Sequence, residues 1–210
     1  ARHAMVEQQV RPWEVLDRRV LDVLGEVKRE DFAPVTHRKL AFADLALPLG
    51  HDEFMLKPVI EGRLLQALDI APTDEVLEIG AGSGFLTACL GRLARSVHAI
   101  ECHADFVAEA QRRLQALEAA NVRLEQGDAA TWDTTLRFDA ILVGGAVAEL
   151  PERFLRWLKP GGRLVLVRGA SPVQEAICLR NDAAGPRIES LFETDIPYLR
   201  GFAPEARFTL

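Results

Sequence analysis

The stretch EVLEIGAGSGFLTACL, Glu75–Leu90, decides the fold of this chain. It begins with the apolar positions of a buried strand, passes through three glycines and continues at once into a helical pattern. Gly80, Gly82 and Gly84 carry no Cβ, so the turn can adopt positive φ and a ligand can approach its backbone, with the amides at the helix start pointing outward. The order of strand, glycine turn and helix predicts a cofactor loop in an α/β fold.

The residues around the glycines indicate which cofactor the loop holds. A dinucleotide fingerprint, G-x-G-x-x-G/A, counted from Gly80 would require Gly or Ala at Phe85, which argues against NAD. The run E-x-G-x-G-x-G from Glu78 to Gly84 instead resembles motif I of the class I methyltransferases, which use S-adenosylmethionine. That resemblance implies a Rossmann-like class I methyltransferase fold.

Two further acids follow at the ends of the next apolar strands. Glu101 ends the strand that begins near Val97, where an acid can accept hydrogen bonds from ribose hydroxyls in NAD enzymes and methyltransferases alike. Asp128 follows a third strand and Gly127, the place where methyltransferases of this class commonly set an acid against the adenine amino group. Each feature alone has a purely structural reading, since Glu101 could be a solvated strand end and Asp128 a cap. Their occurrence in order at successive strand ends favours a site for S-adenosylmethionine.

The predicted cofactor-binding residues lie in or next to these motifs. They are Glu78, Gly80, Ala81, Gly82, Ser83, Gly84, Glu101, Cys102, Gly127, Asp128, Ala129 and Gly144.

The N-terminal quarter resembles a particular family. The stretches MVEQQVRPWEVLDRRVLDVLGEVKREDFAP, Met5–Pro34, and AFADLALPLG, Ala41–Gly50, are similar to the N-terminal region of protein-L-isoaspartate O-methyltransferases. The resemblance runs from Met5 to about Gly169 and is specific in this N-terminal part, because the later motifs are shared by the whole methyltransferase class. It implies carboxyl methylation of isoaspartyl residues in protein repair.

The chain departs from the family pattern beside the acceptor. Where the family resembles G-x-G-Q-T-I-S-x-P, this chain has Phe54 at the Thr position and Leu56 at the Ser position, and two acids, Asp52 and Glu53, replace a Gly and a Gln. Like charges disfavour the approach of an anionic acceptor. The resemblance places Phe54, Met55, Leu56 and Lys57 on the substrate side of the site.

No catalytic residue is assigned. A carboxylate acceptor is already ionised at neutral pH and needs no general base, so catalysis is chiefly positioning. Lys57 could pair with the acceptor and His51 could act as a base, but a solvated lysine and a polar loop histidine account for both positions more simply.

Three hypotheses of function therefore stay open at this point. The first is isoaspartyl repair. The second is a methyltransferase that has changed its acceptor to a small molecule or another protein, because Phe54 and Leu56 would form an apolar floor. The third is a module that binds the cofactor without catalysis.

The composition limits which partners this protein is expected to bind. With 210 residues and a net charge of −6, the chain suits one α/β domain and has no general attraction for nucleic acid or anionic membranes. Cys89, Cys102 and Cys178 are odd in number and contain no C-x-x-C pair, which predicts reduced thiols, a cytoplasmic location and no metal site. We find no spanning segment, signal peptide or association motif, and expect a monomer.

The pattern of elements predicts a three-layer α/β sandwich with a seven-stranded, mostly parallel sheet. Residues 1–56 are predicted to form a helical extension over the cofactor site, with a helix from Val15 to Val27, and residues 57–210 the S-adenosylmethionine-binding domain, the two forming one compact unit. The fourth strand is expected to end at Gly144, and two strands joined by a turn near Asn181 are expected to finish the sheet with one strand antiparallel.

Overall fold

The computed structural model describes residues 1–205. At the N-terminus, helix α1 (Arg2–Met5) continues through a π-helical turn (Val6–Val10) and a 3-10 turn (Arg11–Trp13). Helix α2 covers Arg18–Glu26 and starts at Asp17, whose side chain accepts a hydrogen bond from the Arg19 amide at 2.9 Å. A short helix α3 (Arg29–Phe32) and a 3-10 segment (Val35–Leu40) follow.

Helix α2 begins later than the sequence predicts. The amides of Leu16 and Asp17 donate to Gln66 Oε1 at 2.6 and 2.9 Å, so they are tied to a distant helix instead of entering α2. The side chain of Leu16, predicted to lie on the apolar face, is 71% exposed. The helix itself is confirmed, and its predicted first turn is wrong.

A small hairpin links the N-terminal helices to the rest of the chain. Strands β1 (Leu47–Gly50) and β2 (Glu53–Met55) pair in antiparallel fashion, and the tip residues His51 and Asp52 have φ of 52° and 59°. Left-handed backbone is uncommon for residues other than glycine, so the tip is a tight turn. Helix α4 (Pro58–Leu68) begins directly after the hairpin, with Pro58 in its first turn.

The central sheet has seven strands in the order β5-β4-β3-β6-β7-β8-β9. The first five of these are parallel and β8 is antiparallel to both of its neighbours, which confirms the predicted fold class. The strands are β3 (Glu75–Ile79), β4 (Ser96–Glu101), β5 (Val122–Gln126), β6 (Phe138–Val147), β7 (Leu158–Arg168), β8 (Gln174–Asp182) and β9 (Gly185–Thr194), and the connecting helices are α5 (Phe85–Leu93), α6 (Ala104–Ala116) and α7 (Glu152–Leu155).

The fourth strand of the parallel set, β6, extends beyond the end that the sequence predicts. It continues through Gly144 to Val147, and its register with β7 shifts between Leu142 and Ala146. The glycines therefore form an irregularity inside the strand, which lets the edge of the sheet approach the glycine loop. The predicted C-terminal hairpin, β8–β9, is confirmed. The two strands join the sheet next to β7 in the order in which they occur in the chain, and β8 is antiparallel to both β7 and β9.

Two apolar clusters lie on opposite faces of the sheet. One face packs against α4, α5 and α6, with α2 lying on α4 and α5, and its cluster contains the buried N-terminal residues Met5, Val10 and Leu24. The other face is covered by α7 and by Trp157 and Phe154. The N-terminal segment thus shares a core with the sheet domain, and the division at residue 56 stays a prediction.

Among residues 1–205, no helix combines the length and the apolar character that crossing a membrane requires.

Candidate functional site

The glycine loop forms the floor of a cavity at the carboxyl ends of the parallel strands. Gly80, Gly82 and Gly84 have φ of 82°, 52° and 84°, the left-handed region that only glycine adopts readily. A Cβ on Gly80 would lie 3.1 Å from Leu199 Cδ1, and one on Gly82 would lie 3.3 Å from Leu49 Cδ1. The absence of side chains therefore leaves a narrow cradle between Leu199 and Leu49.

The loop amides are used differently from the prediction that they point outward. The amides of Gly80 and Ala81 donate to the Ile100 carbonyl at 2.9 and 3.2 Å, and the Gly84 amide donates to the Ala81 carbonyl at 2.9 Å. These donors hold the loop against β4 and are not directed at a ligand. The loop offers a close backbone surface, and not the row of free amides that a phosphate site requires.

Glu101 links the loop to the end of β4. Its Oε2 accepts a hydrogen bond from the Gly82 amide at 2.8 Å, and its Oε1 accepts one from the His103 amide at 2.9 Å, while the side chain is only 5% exposed. Each carboxylate oxygen has two lone pairs, so Oε2 can accept one more hydrogen bond from a hydroxyl, and Oε1 can do so in place of the Cys102 thiol, a weak donor 3.4 Å away. Glu101 can thus fix the loop and bind a diol at the same time.

Asp128 caps a turn and also lines the cavity. Its Oδ1 accepts from the Ala130 amide at 2.8 Å, which caps the turn that follows β5. The same residue lines the cavity beside Gly127 and Ala129. A Cβ on Gly127 would lie 2.8 Å from Trp132 Cδ1, so glycine is needed there for the packing of Trp132.

Ten of the residues predicted from the sequence line this cavity. They are Gly80, Gly82, Glu101, Cys102, Gly127, Asp128, Ala129 and Gly144 on the cofactor side and Phe54 and Leu56 on the substrate side. A smaller adjoining cavity includes Ala81, Ser83 and Met55.

The remaining three predicted residues lie elsewhere. Gly84 caps α5 and packs against Ala110, where a Cβ would be only 2.9 Å from the Ala110 Cβ. Lys57 is exposed and caps α4. Glu78 is fully buried below the loop, and within residues 1–205 neither of its carboxylate oxygens has a hydrogen-bond partner. Burial, together with the charge of Glu101, raises the pKa of Glu78 to about 7.

Cys102 is unsuited to act as a nucleophile. Its thiol lies 3.4 Å from Glu101 Oε1, and burial with the neighbouring Glu101 charge raises its pKa to about 11. The thiolate is the reactive form of cysteine and is scarce at neutral pH with such a pKa.

A buried arginine fixes the backbone at Leu56, one of the residues predicted to lie on the substrate side. Arg29 is fully buried, donates to the carbonyls of Ala41 and Leu56 at 2.8 and 2.7 Å, and pairs with the buried Glu61. The backbone of Leu56 is thereby fixed at the cavity wall. The sequence pattern around Arg29 belongs to the N-terminal stretch that resembles the family, but the partners of the side chain are long-range and could not be inferred from it.

The C-terminal segment supplies cavity residues that the sequence did not indicate. Pro197, Leu199 and Arg200 line the cavity. The Leu199 amide donates to the Ala146 carbonyl at 2.7 Å, and a Cβ on Gly145 would lie 2.8 Å from the Leu199 nitrogen. The glycines of β6 thus allow this segment to cross the sheet edge. Residues 206–210 lie outside the described residues.

The acids on the hairpin are less repulsive to an anion than the sequence suggested. Asp52 is exposed at the hairpin tip, whereas Glu53 lines the cavity with its Oε1 3.7 Å from His103 Nε2. Burial raises the pKa of Glu53, and the charge of Glu101 adds to that effect. Arg200, exposed at the same cavity, provides a cation.

Comparison with known proteins assigns the family. The model of the family described as Protein-L-isoaspartate(D-aspartate) O-methyltransferase (PCMT) matches residues 1–194. The chain is 36% identical to the protein-L-isoaspartate O-methyltransferase of Roseiflexus sp. (strain RS-1), with 96% of this chain and 93% of the relative covered. It is 39% identical to that of Methylorubrum populi, with 96% of both chains covered.

A solved structure agrees at the level of the fold. A Plasmodium falciparum PCMT in complex with S-adenosyl-L-homocysteine superimposes with a TM-score of 0.82 at 19% identity, covering 95% of this chain and 98% of that one. The family model and the two relatives extend over the N-terminal helices, the hairpin and the glycine loop alike. The chain therefore belongs to the protein-L-isoaspartate O-methyltransferase family.

Proposed function

We propose that this protein transfers the methyl group of S-adenosylmethionine to the side-chain-like carboxylate of isoaspartyl residues in proteins and thereby starts their repair. Membership of the family makes the chain an S-adenosylmethionine-dependent O-methyltransferase. The observation that carries the proposal is a single cavity in which the glycine cradle, Glu101 and Asp128 meet the hairpin residues Phe54 and Leu56.

The residues of the cavity fit the cofactor. Leu199 and Leu49 lie close to Gly80 and Gly82, on the side where a Cβ of either glycine would project, so the cradle is narrow. A narrow cradle without side chains lets a methionine chain lie flat against the loop backbone. Glu101 retains acceptor capacity for ribose hydroxyls, and Asp128 lies on the side where an adenine amino group would be bound. When bound, S-adenosylmethionine supplies an electrophilic methyl group on a sulfonium.

The protein's own contribution to the reaction is positioning. The acceptor carboxylate is ionised at neutral pH, so the site has no proton to remove. Phe54 and Leu56 hold the acceptor by shape, because they lack the hydroxyls found in the family pattern, and Arg29 fixes the Leu56 carbonyl from behind at 2.7 Å. Arg200 offers the acceptor a positive partner across the cavity from Glu53.

Location and assembly follow as parts of the same proposal. Cys89, Cys102 and Cys178 are all free thiols, which supports a reducing, cytoplasmic location. We expect the protein to act as a monomer on protein or peptide acceptors, with no role for nucleic acid or membranes.

The test is methyl transfer from labelled S-adenosylmethionine to an isoaspartyl peptide, with the aspartyl peptide of the same sequence as acceptor control. Calorimetric binding of S-adenosylhomocysteine is measured first. The variant Glu101→Ala should lose cofactor affinity by at least about tenfold, since it removes a charge-assisted acceptor and releases the Gly82 amide. Glu26→Ala, at an exposed position of α2, is the matched control and should behave as the wild type.

The two possible results separate the hypotheses. Selective labelling of the isoaspartyl peptide would show that the site works without the Thr and Ser hydroxyls. Tight cofactor binding with no labelling of that peptide would overturn the repair proposal and would favour a different acceptor or a non-catalytic role.

A further inference from the structure

Two histidines from separate segments stack at the rim of the cavity. His51 lies at the tip of the β1–β2 hairpin and His103 directly precedes α6, and their rings are 4.2 Å apart between centroids with an interplanar angle of 9°. Two carboxylates flank them: His51 Nε2 is 2.9 Å from Asp105 Oδ2, and His103 Nε2 is 3.7 Å from Glu53 Oε1. We refer to His51, His103 and Asp105 as the rim cluster.

One nitrogen of the rim cluster lacks a partner. His103 Nε2 is buried, and among residues 1–205 it makes no hydrogen bond, because the carboxylate of Glu53 is too distant. A buried polar atom without a partner costs about 1–3 kcal/mol of desolvation. The unpaired nitrogen of His103 lies next to a second imidazole and two carboxylates, so it is a donor atom that a metal ion could use.

The atoms are close enough to share one ion. The potential ligand atoms of His51, His103 and Asp105 all lie within 4.8 Å of one another. In a tetrahedral zinc site with bonds of about 2.0–2.2 Å, neighbouring ligand atoms are roughly 3.3–3.6 Å apart. Imidazole lone pairs lie in the ring plane, so both rings must rotate out of their parallel stack before the three ligand atoms face one centre.

We propose that the rim cluster binds a divalent transition-metal ion, with zinc as the representative, and that the ion joins the hairpin to the start of α6. Imidazole nitrogen with carboxylate oxygen selects zinc, nickel or copper over magnesium and calcium, which prefer oxygen ligands alone. Glu53 lies beside His103 and supplies the fourth ligand, or leaves that place to water. The expectation of no metal, drawn from cysteine spacing, did not consider histidines brought together by the fold.

The charge around the rim cluster favours a cation. Asp52 and Glu53 lie on the hairpin, and Glu101 and Asp105 lie on the opposite segment. A site lined by one sign of charge raises the local concentration of the opposite ion. The bound ion neutralises part of this charge at the rim.

A bound ion would hold part of the cavity wall in place. The hairpin carries Leu49, Glu53 and Phe54, which line the cavity, whereas α6 is anchored in the core through Val107, Ala110 and Leu114. A metal bridge between the two therefore fixes a short hairpin to a packed helix. This inference concerns metal binding and does not depend on methyl transfer, so its test uses no acceptor.

The experiment is a calorimetric titration of zinc chloride into tag-free protein that has been treated with chelator, at pH 7.5. We expect one ion per chain and, at a zinc concentration of about 100 times Kd, a rise in Tm of about 5–10 °C. His51→Ala and His103→Ala should each weaken binding by at least about tenfold, since each removes a direct ligand. His37→Ala removes a half-buried histidine of the N-terminal region that lies outside the rim cluster, and it should leave binding unchanged.

Two further measurements locate the bound ion. Zinc should slow hydrogen exchange at the amides of residues 47–55 in the wild type but not in His51→Ala, a variant at an exposed tip that should fold normally. The cobalt(II) complex should show tetrahedral visible bands without a thiolate charge-transfer band, which would appear if Cys102 were a ligand. Absence of zinc binding, equal binding by the His51→Ala variant and the wild type, or a thiolate band would overturn the proposal.

Discussion

Replacing Gly144 by alanine tests the closest backbone approach in the site. An added Cβ would lie 2.5 Å from the Gly80 carbonyl oxygen and 3.4 Å from the Ile79 carbonyl oxygen, both of which are backbone atoms. No flexible side chain can yield, so β6 and the glycine loop must separate by about 0.5–1 Å. Overpacking of this kind costs about 1–3 kcal/mol, and the displaced loop is the one that forms the cofactor cradle.

The expected result is a lower Tm together with weaker cofactor binding. A chain of this size loses about 2–4 °C of Tm per kcal/mol, so Gly144→Ala should melt about 3–10 °C below the wild type. A misplacement approaching 1 Å in a site that works by positioning should lower the methylation rate on the order of 10- to 100-fold. The assays are thermal unfolding, titration with S-adenosylhomocysteine and initial rates on an isoaspartyl peptide.

The same substitution at Gly25 is the control. Gly25 lies within α2, and an added Cβ there meets no heavy atom within 4 Å. Alanine stabilises a helix interior by about 0.5–1 kcal/mol relative to glycine, so Gly25→Ala should raise Tm slightly and leave activity unchanged. If Gly144→Ala instead retained the wild-type Tm and cofactor affinity, the proposed contact between β6 and the loop would be refuted.

Three further changes test other parts of the structure. Glu78→Gln should stabilise the protein by up to about 3 kcal/mol at pH 8 and by little at pH 5. The pKa of Glu78 is raised from 4.5 to about 7 in the folded state, so the wild-type protein loses stability as the pH rises between these two values, and the variant does not. Urea unfolding at both pH values measures the difference, and an equal effect at pH 5 and pH 8 would contradict it. Arg29→Met leaves Glu61 buried without its cation and should lower the free energy of unfolding by about 3–5 kcal/mol in the same assay. Arg112→Met, on the surface, should leave the urea midpoint unchanged. Equal midpoints for the two variants would refute the role of the buried pair. Phe54→Thr removes a ring that holds the acceptor by shape and should lower kcat/KM for an isoaspartyl peptide on the order of fivefold, as the loss of about 1 kcal/mol of apolar contact implies; a rise in rate would show that the hydroxyl of the family pattern serves the acceptor better than the ring.

Much of the fold could be predicted because its signals are local. The apolar runs that form β3, β4 and β6 are continuous in the sequence, and the glycines that follow β3 mark a turn whatever the rest of the chain does. The start of α2 was missed because it depends on Gln66, a residue almost fifty positions away that captures the amides of Leu16 and Asp17. The continuation of β6 through Gly144 was missed because glycine usually ends a strand, and here the glycine permits a close approach.

The candidate site likewise contains residues that the sequence predicts and residues that only the fold brings in. Gly80, Glu101 and Asp128 stand at the ends of strands that the sequence identifies, so their convergence followed from the rule that parallel strands end at one edge. The position of Leu199 and Arg200 at the cavity was not predictable, because it depends on long-range hydrogen bonds of their segment to Ala146, Ala148 and Gly169.

The sequence by itself determined the alternation of strands and helices, the glycine cradle and the acids that face it, since each depends on residue type and short spacing. The tertiary structure alone decided which distant groups meet: Arg29 with the Leu56 carbonyl, Gly144 with the Gly80 carbonyl, and His51 with His103. The physical reason is that such contacts depend on how the layers pack in three dimensions, and packing brings together side chains whose separation along the chain carries no signal.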